Sequence, residues 1–157
     1  MTLHEPRNVV CVGAVVQQQG RVLLVRQAAG HALAGQWTIP WGLLETGESP
    51  TACALRETQE ESGLQVEIAG LLGVQELPHP WVGWTALVYL CRSVAGSCQP
   101  DGRETDAAAF FSLADLDGLG EPVEPWCDWL VRRVLSGRAT VVRSDPSNPY
   151  RPCPGFP

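Results

Sequence analysis

The sequence contains no lysine: its eleven positive charges are all arginine, set against seventeen acids for a formal net charge of −6. There is no basic stripe, which argues against non-specific binding to duplex nucleic acid. No apolar run approaches the roughly eighteen residues of a membrane span, so no membrane partner is expected. Met1 to Val10 lacks the shape of a signal peptide, and a cytoplasmic location is the expectation that follows. The six cysteines (Cys11, Cys53, Cys91, Cys98, Cys127 and Cys153) are irregularly spaced and include no C-x-x-C pair, which removes the usual zinc and redox signatures. Reduced thiols are expected, with Cys11 and Cys91 packing as small hydrophobes inside apolar runs. No internal repeat is visible. No D-x-D-x-D-G loop exists, so an EF-hand is excluded.

A chain of 157 residues, 45 % of them apolar, is long enough for one domain with its own core. The acids within it are unevenly spread. Five of the eleven glutamates (Glu45, Glu48, Glu57, Glu60 and Glu61) fall in one short segment with Arg56 as its only base. That segment carries −4, which leaves only −2 for the other 140 residues. A near-neutral body with one acidic knot points to a local cation site.

Val9 to Val16 is a continuous β-branched run and predicts a buried strand; Gln17 to Gly20 turns the chain, and Arg21 to Arg26 returns as a second. Trp37 to Ile39 is a short strand stopped by Pro40. Ser49-Pro50 opens a helix, serine as cap and proline at the first helical position, and Gly63 closes it. Further strands are expected over Val66 to Leu77 (broken at Gly70 and Gly73), Trp84 to Cys91, and Ala107 to Ser112. Leu113 to Leu116 reads as one helical turn and Pro125 to Leu135 as an amphipathic helix. Residues 1–143 form the expected domain; 144–157, with five prolines in fourteen residues, form an extended tail. Strands alternating with helices predict a mixed sheet with helices packed on it.

On the first helix, Glu57, Glu60 and Glu61 stand at i, i+3 and i+4 and share one face within about 100° of arc. A generic E-x-x-E-E of this kind is most often a solvated face. Here the context is Gly42-Leu-Leu-Glu-Thr-Gly-Glu48, seven residues, then Arg56-Glu57-Thr58-Gln59-Glu60-Glu61-Ser62-Gly63-Leu64. This resembles the Nudix box, G-x5-E-x7-R-E-U-x-E-E-x-G-U with U aliphatic, and all seven fixed positions match. Chance agreement is roughly 10⁻⁸ per window at average residue frequencies. The flanks agree: the opening hairpin, Trp37 to Pro40, and Phe110 to Leu113 followed by Asp115-Leu116. The resemblance spans about residues 8 to 135.

It implies an α/β/α sandwich with a mixed central sheet, and hydrolysis of a nucleoside diphosphate linked to another moiety with magnesium or manganese. By position, Glu57, Glu60, Glu61 and the Gly42 carbonyl resemble the family's metal ligands, while Arg56 and Glu48 resemble the pair that holds the loop to the helix. Glu104, six residues before Phe110, stands where relatives often place a further acid; Glu104 or Glu57 is the expected activator of water. Glu45 is read as ordinary surface. Two positions depart from the pattern. Thr58 replaces an aliphatic residue, and its hydroxyl is expected to bond back to a helix carbonyl. Trp41 replaces a lead-in glycine and is expected to cap the site or lie on the surface.

Substrate contacts are less determined. Pro78-His79-Pro80-Trp81 is a rigid aromatic loop, and Pro80, sixteen residues after Leu64, resembles a feature of ADP-ribose-cleaving relatives. His79, Pro80, Trp81 and Trp41 are the candidates, with Trp84 and Trp37 as further stacking faces. Trp126 and Trp129 read as core contacts, and His4 and His31 have no expected role. Two other readings stay open: a MutT-like nucleoside triphosphate pyrophosphohydrolase, and a non-catalytic nucleotide-sensing domain. A nucleotide-type small molecule is the expected partner, and a homodimer is left open.

Overall fold

A computed structural model describes residues 8–157; His4 lies outside them. Seven strands form one mixed sheet. They are β1 (Val9–Gln18), β2 (Arg21–Gln27), β3 (Trp37–Thr38), β4 (Trp41–Leu43), β5 (Gln65–Glu76), β6 (Trp84–Ala95) and β7 (Thr105–Phe111). The helices are α1 (Pro50–Ser62), α2 (Leu113–Gly118) and α3 (Pro125–Leu135). The main path through the sheet is β3-β2-β1-β6-β5, with β4 added to β1 and β7 to β2.

β1 is the hub. It runs parallel to β6 along most of its length, while its other edge is shared antiparallel by β2 at Gln17–Gln18 and β4 at Cys11–Gly13. Its residues alternate between two cores. Val12, Ala14 and Val16 face one, with Cys53 and Ala54 of α1; Val15 faces the other, with Val131 and Val134 of α3. Both faces are therefore covered, which is why β1 reads as an unbroken apolar run. The expected α/β/α sandwich is what forms.

α1 has the expected ends. The Ser49 hydroxyl accepts from the Ala52 N–H at 3.2 Å, and Gly63 takes φ 75°, its N–H donating to the Gln59 carbonyl. Thr58 lies fully buried and its Oγ1 donates to the Ala54 carbonyl at 2.7 Å, as expected. Cys11 and Cys91 are buried, again as expected.

Three differences have local causes. Pro40 interrupts but does not end strand pairing, because Trp41–Leu43 resumes against β1 as β4. Gly70 and Gly73 do not break β5; they sit at register shifts, where the strand bulges and continues. At Gly70 the segment after α3 crosses so closely that a Cβ would stand 2.5 Å from Val141 Cγ1. The stretch 144–157 holds no helix or strand, yet it curls back instead of extending. The Asp145 N–H donates to the Gly155 carbonyl at 3.0 Å, and the Phe156 ring lies 5.6 Å from that of Tyr89.

Candidate active site

Arg56 joins the loop after β4 to α1. Its Nε and Nη2 donate to the two Glu48 oxygens at 2.7 and 2.9 Å, and its Nη1 donates to Glu57 Oε1 at 2.7 Å and Glu60 Oε2 at 3.1 Å. Nη2 also reaches the Leu43 carbonyl at 3.3 Å. A planar guanidinium can satisfy this fork; an ammonium cannot. Glu45 stands 3.8 Å away at the exposed rim. The hydrogen bonds from Arg56 hold the Glu48 carboxyl down at about 2.

Beside this knot three carboxylates converge. Glu57, Glu61 and Glu104 each bring an oxygen within 4.8 Å of the others. Glu57 and Glu61 are 6 % and 2 % exposed, whereas Glu104 is exposed. Burial pushes the Glu61 carboxyl up to about 9, and the charges of Glu57 and Glu104 add to that, against an opposing pull from the Trp41 backbone. Burial also raises Glu57, with Arg56 pulling the other way. Glu61 Oε2 has no hydrogen-bond partner. Leaving such an acceptor unmatched costs about 1–3 kcal/mol, more if charged. A hard divalent cation, which takes carboxylate oxygens as ligands, would satisfy the orphan and neutralise the cluster together.

Helix geometry sorts the three box glutamates. Relative to Glu57, Glu61 is turned about 40° one way and Glu60 about 60° the other. Glu61 therefore points into the fold, while Glu60 stays 54 % exposed against Arg56. Glu57 and Glu61 thus share the inner cluster with the exposed Glu104, and Glu60 stands on its outer side.

Glu104 is held there by residues that sequence reasoning passed over. Asp101 Oδ1 accepts from the N–H groups of Arg103, Glu104 and Thr105 at 2.8, 2.9 and 3.0 Å. The Thr105 hydroxyl then donates to the Glu61 carbonyl at 2.7 Å, fastening the loop to the end of α1. The Asp-Gly pair at 101–102, a turn former, was the available signal.

Gly42 is the close-approach position. A Cβ there would run into the Glu57 carboxylate, so any other residue would require that side chain to move.

Next to Gly42, Trp41 enters the wall of a cavity of about 520 Å³, which it shares with Trp81, Trp84 and Trp126. His79 and Pro80 belong to the same loop as Trp81 but are exposed and outside that lining. Trp37 is not available for stacking on a ligand. It is buried edge-to-face on Phe111 at 4.9 Å, with its indole N–H donating to Glu121 at 2.7 Å. The core reading holds for Trp126, which packs against the cluster that includes Leu130 and Val131, and is corrected for Trp129. The buried stripe of α3 is Cys127, Leu130, Val131 and Val134, with Trp126 at its edge. Trp126 is half-buried in the cavity wall, with its N–H on Gln75 Oε1 at 3.0 Å. Trp129 is 53 % exposed beneath the Arg133 guanidinium. The His31 ring bonds to the Arg103 carbonyl at 3.1 Å.

The family model for the NUDIX domain matches residues 5–130. The chain belongs to the Nudix family. Among curated relatives, a MutT-like protein of Streptomyces ambofaciens is 37 % identical over 105 residues, covering 67 % of this chain and 64 % of that protein. The NAD-capped RNA hydrolase of Vibrio vulnificus is 30 % identical over 146 residues, covering 92 % of this chain but 52 % of that protein. This chain thus spans between half and two thirds of the length of these relatives. Among solved structures, a NUDIX hydrolase from Nitrosomonas europaea superposes with a TM-score of 0.75 at 26 % identity, covering 87 % of this chain and 75 % of that one.

In Nudix terms, the acidic knot of the sequence is the box itself, folded as loop and α1. Its two departures are both accommodated: the Thr58 hydroxyl inside the helix, and the Trp41 side chain in the cavity wall. Among the described residues, no helix is long and apolar enough to cross a membrane.

Proposed function

We propose that this Nudix domain hydrolyses a phosphoanhydride bond in a nucleoside diphosphate linked to another moiety, with magnesium or manganese. The observation that carries the reading is the buried, unpartnered Glu61 oxygen within the Glu57–Glu61–Glu104 cluster. Glu57 and Glu61 would hold the cation, with Glu60 and the Gly42 carbonyl as further ligands from the outer side. The cation supplies charge neutralisation and Lewis acidity toward a polyanionic diphosphate. Glu104, the exposed member of the cluster, is the group free to take a proton from the attacking water; Glu57 is already engaged by Arg56. Arg56 and Glu48 act as positioning residues, since they orient Glu57 and the loop.

The names of relatives support the substrate class: NAD-capped RNA hydrolase in Vibrio vulnificus, and ADP-ribose pyrophosphatase in Methanocaldococcus jannaschii at 28 % identity. Candidate contacts to the non-reacting half are Trp41 and Trp81 in the cavity wall, with His79 and Pro80 at its approach. The 37 % identity to a MutT-like protein keeps a nucleoside triphosphate pyrophosphohydrolase as the second reading. A cytoplasmic location suits a metal–nucleotide substrate, and the reading holds for a monomer or a homodimer.

The test is product analysis on a nucleotide panel with magnesium. Two monophosphates from a diphosphate-linked substrate support the first reading, and pyrophosphate released from a triphosphate supports the second. Tight nucleotide binding without turnover would identify a sensor.

A further inference from the structure

The loop between β6 and β7 is tied to the end of α1 at two points. The last carbonyls of a helix have no partner within it, and this loop supplies donors to two of them. The Glu61 carbonyl accepts from the Thr105 hydroxyl at 2.7 Å, and the Ser62 carbonyl from the Gln99 N–H at 2.8 Å. Gly63 lets the loop pass this closely, since a Cβ there would stand 2.9 Å from the Ser97 carbonyl oxygen. Between the two anchors the chain closes around Asp101, whose Oδ1 accepts from the Arg103, Glu104 and Thr105 N–H groups. The Gly102 N–H completes the turn on the Thr105 carbonyl at 2.9 Å. From the other side, the Ala28 N–H donates to the Glu104 carbonyl at 2.8 Å. Both backbone polar groups of Glu104 are therefore engaged, while its side chain is exposed. Its carboxylate is placed by the backbone beneath it and not by burial.

We propose that Asp101 and Thr105 are positioning residues: they lock this loop onto α1 and so carry the Glu104 carboxylate at a fixed distance from Glu61. Their part in catalysis rests on the reading of Glu104 as the base. A base must lie within hydrogen-bond reach of the water it deprotonates, and a displacement of about 1 Å can cost about a hundredfold in rate. The Asp101 charge also acts on Glu61. Asp101→Asn, which removes the charge and keeps the acceptor oxygen, separates the two effects.

The test compares wild type, Asp101→Ala, Asp101→Asn, Thr105→Val, Glu104→Gln and the Asp101→Ala/Glu104→Gln double variant, each as the full chain. Metal-free amide hydrogen exchange reads the lock without turnover. The Arg103, Glu104 and Thr105 N–H groups should exchange about tenfold faster in Asp101→Ala than in wild type or Asp101→Asn, with the α1 amides unchanged. On a diphosphate-linked nucleotide with magnesium, kcat should fall about ten- to a hundredfold in Asp101→Ala and in Thr105→Val. In Asp101→Ala, KM and manganese affinity should stay at wild-type values, and Asp101→Asn should recover most of the rate. In the Glu104→Gln background Asp101→Ala should cost nothing more, because a residue that acts through Glu104 has nothing left to position. Unchanged exchange at the three amides, or an equal loss of kcat in both backgrounds, would overturn the positioning role. So would a normal kcat in Asp101→Ala where Glu104→Gln is impaired, which leaves Glu104 as the base. Full activity in Glu104→Gln, with the three amides released in Asp101→Ala, would do the reverse: the lock stands and Glu104 is not the base.

Discussion

Gly42 lies so close to Glu57 that a Cβ at position 42 would meet the Glu57 carboxylate. Gly42→Ala should therefore displace either β4 or the carboxylate. We expect it to cost about 1–3 kcal/mol of stability, the usual penalty of overpacking, and to lower divalent-ion affinity at least about tenfold. Thermal unfolding and calorimetric titration with manganese check the two effects separately. Unchanged ion affinity would show that Glu57 is not a ligand.

Glu61 sets a pH dependence whose sign is defined. Its carboxyl is raised to about 9 in the fold, against about 4.3 in an unfolded chain. The native state therefore holds the extra proton between those values, and metal-free stability falls as pH rises through them. Glu61→Gln should raise the metal-free Tm at pH 8, with the gap closing toward pH 4. Added magnesium or manganese should reverse the order, because the wild type alone gains a ligand. Ion uptake near neutral pH should also release protons, which buffers of different ionisation enthalpy would reveal.

Arg56 acts with the opposite sign through Glu48. The Glu48 carboxyl is held at about 2, so its contribution is present above the unfolded value and lost as pH falls toward 2. Arg56→Lys keeps the charge but loses the fork onto Glu48, Glu57 and Leu43. It should cost about 2–4 kcal/mol at neutral pH, with the difference from wild type shrinking in acid. Urea unfolding at pH 7 and pH 3 is the check. An equal loss at both would mean that packing, not the ion pair, is what Arg56 supplies.

Thr58 offers a contrast. Its hydroxyl bonds only back to the Ala54 carbonyl, an acceptor already used by the helix. Thr58→Val should then fall within about 1 kcal/mol of wild type, or above it, because donor and need disappear together. Denaturant midpoints decide this. A larger loss would reveal a role that the buried geometry does not show.

These contacts also explain what could be read beforehand. Local chemistry was legible: the Ser49-Pro50 start and Gly63 stop of α1, the Thr58 back-bond, the buried strand in the apolar run of β1. The pairing of Arg56 with Glu48 followed from the motif, and the structure brings the two together as expected. Positions fixed by distant partners were not legible. Whether Glu60 or Glu61 turns inward depends on which side of α1 the sheet lies. Glu104 could be marked as an acid near a strand, but its place depends on Asp101 and on Thr105 reaching across to Glu61. Trp129 was hardest, because its place three residues after Trp126 suits a shared inward face as well as the exposed one it takes.

Glu57 and Glu61 as ligands, with Glu104 beside them as the base, would make one divalent-metal site for phosphoanhydride hydrolysis. The most direct test is kcat on a diphosphate-linked nucleotide with magnesium, for wild type, Glu57→Gln, Glu61→Gln and Glu104→Gln, with folding confirmed for each. Wild-type turnover should be abolished by a chelator, and every variant should lose at least about a hundredfold. Turnover that survives the chelator, or near wild-type rates in Glu57→Gln and Glu61→Gln, would contradict it.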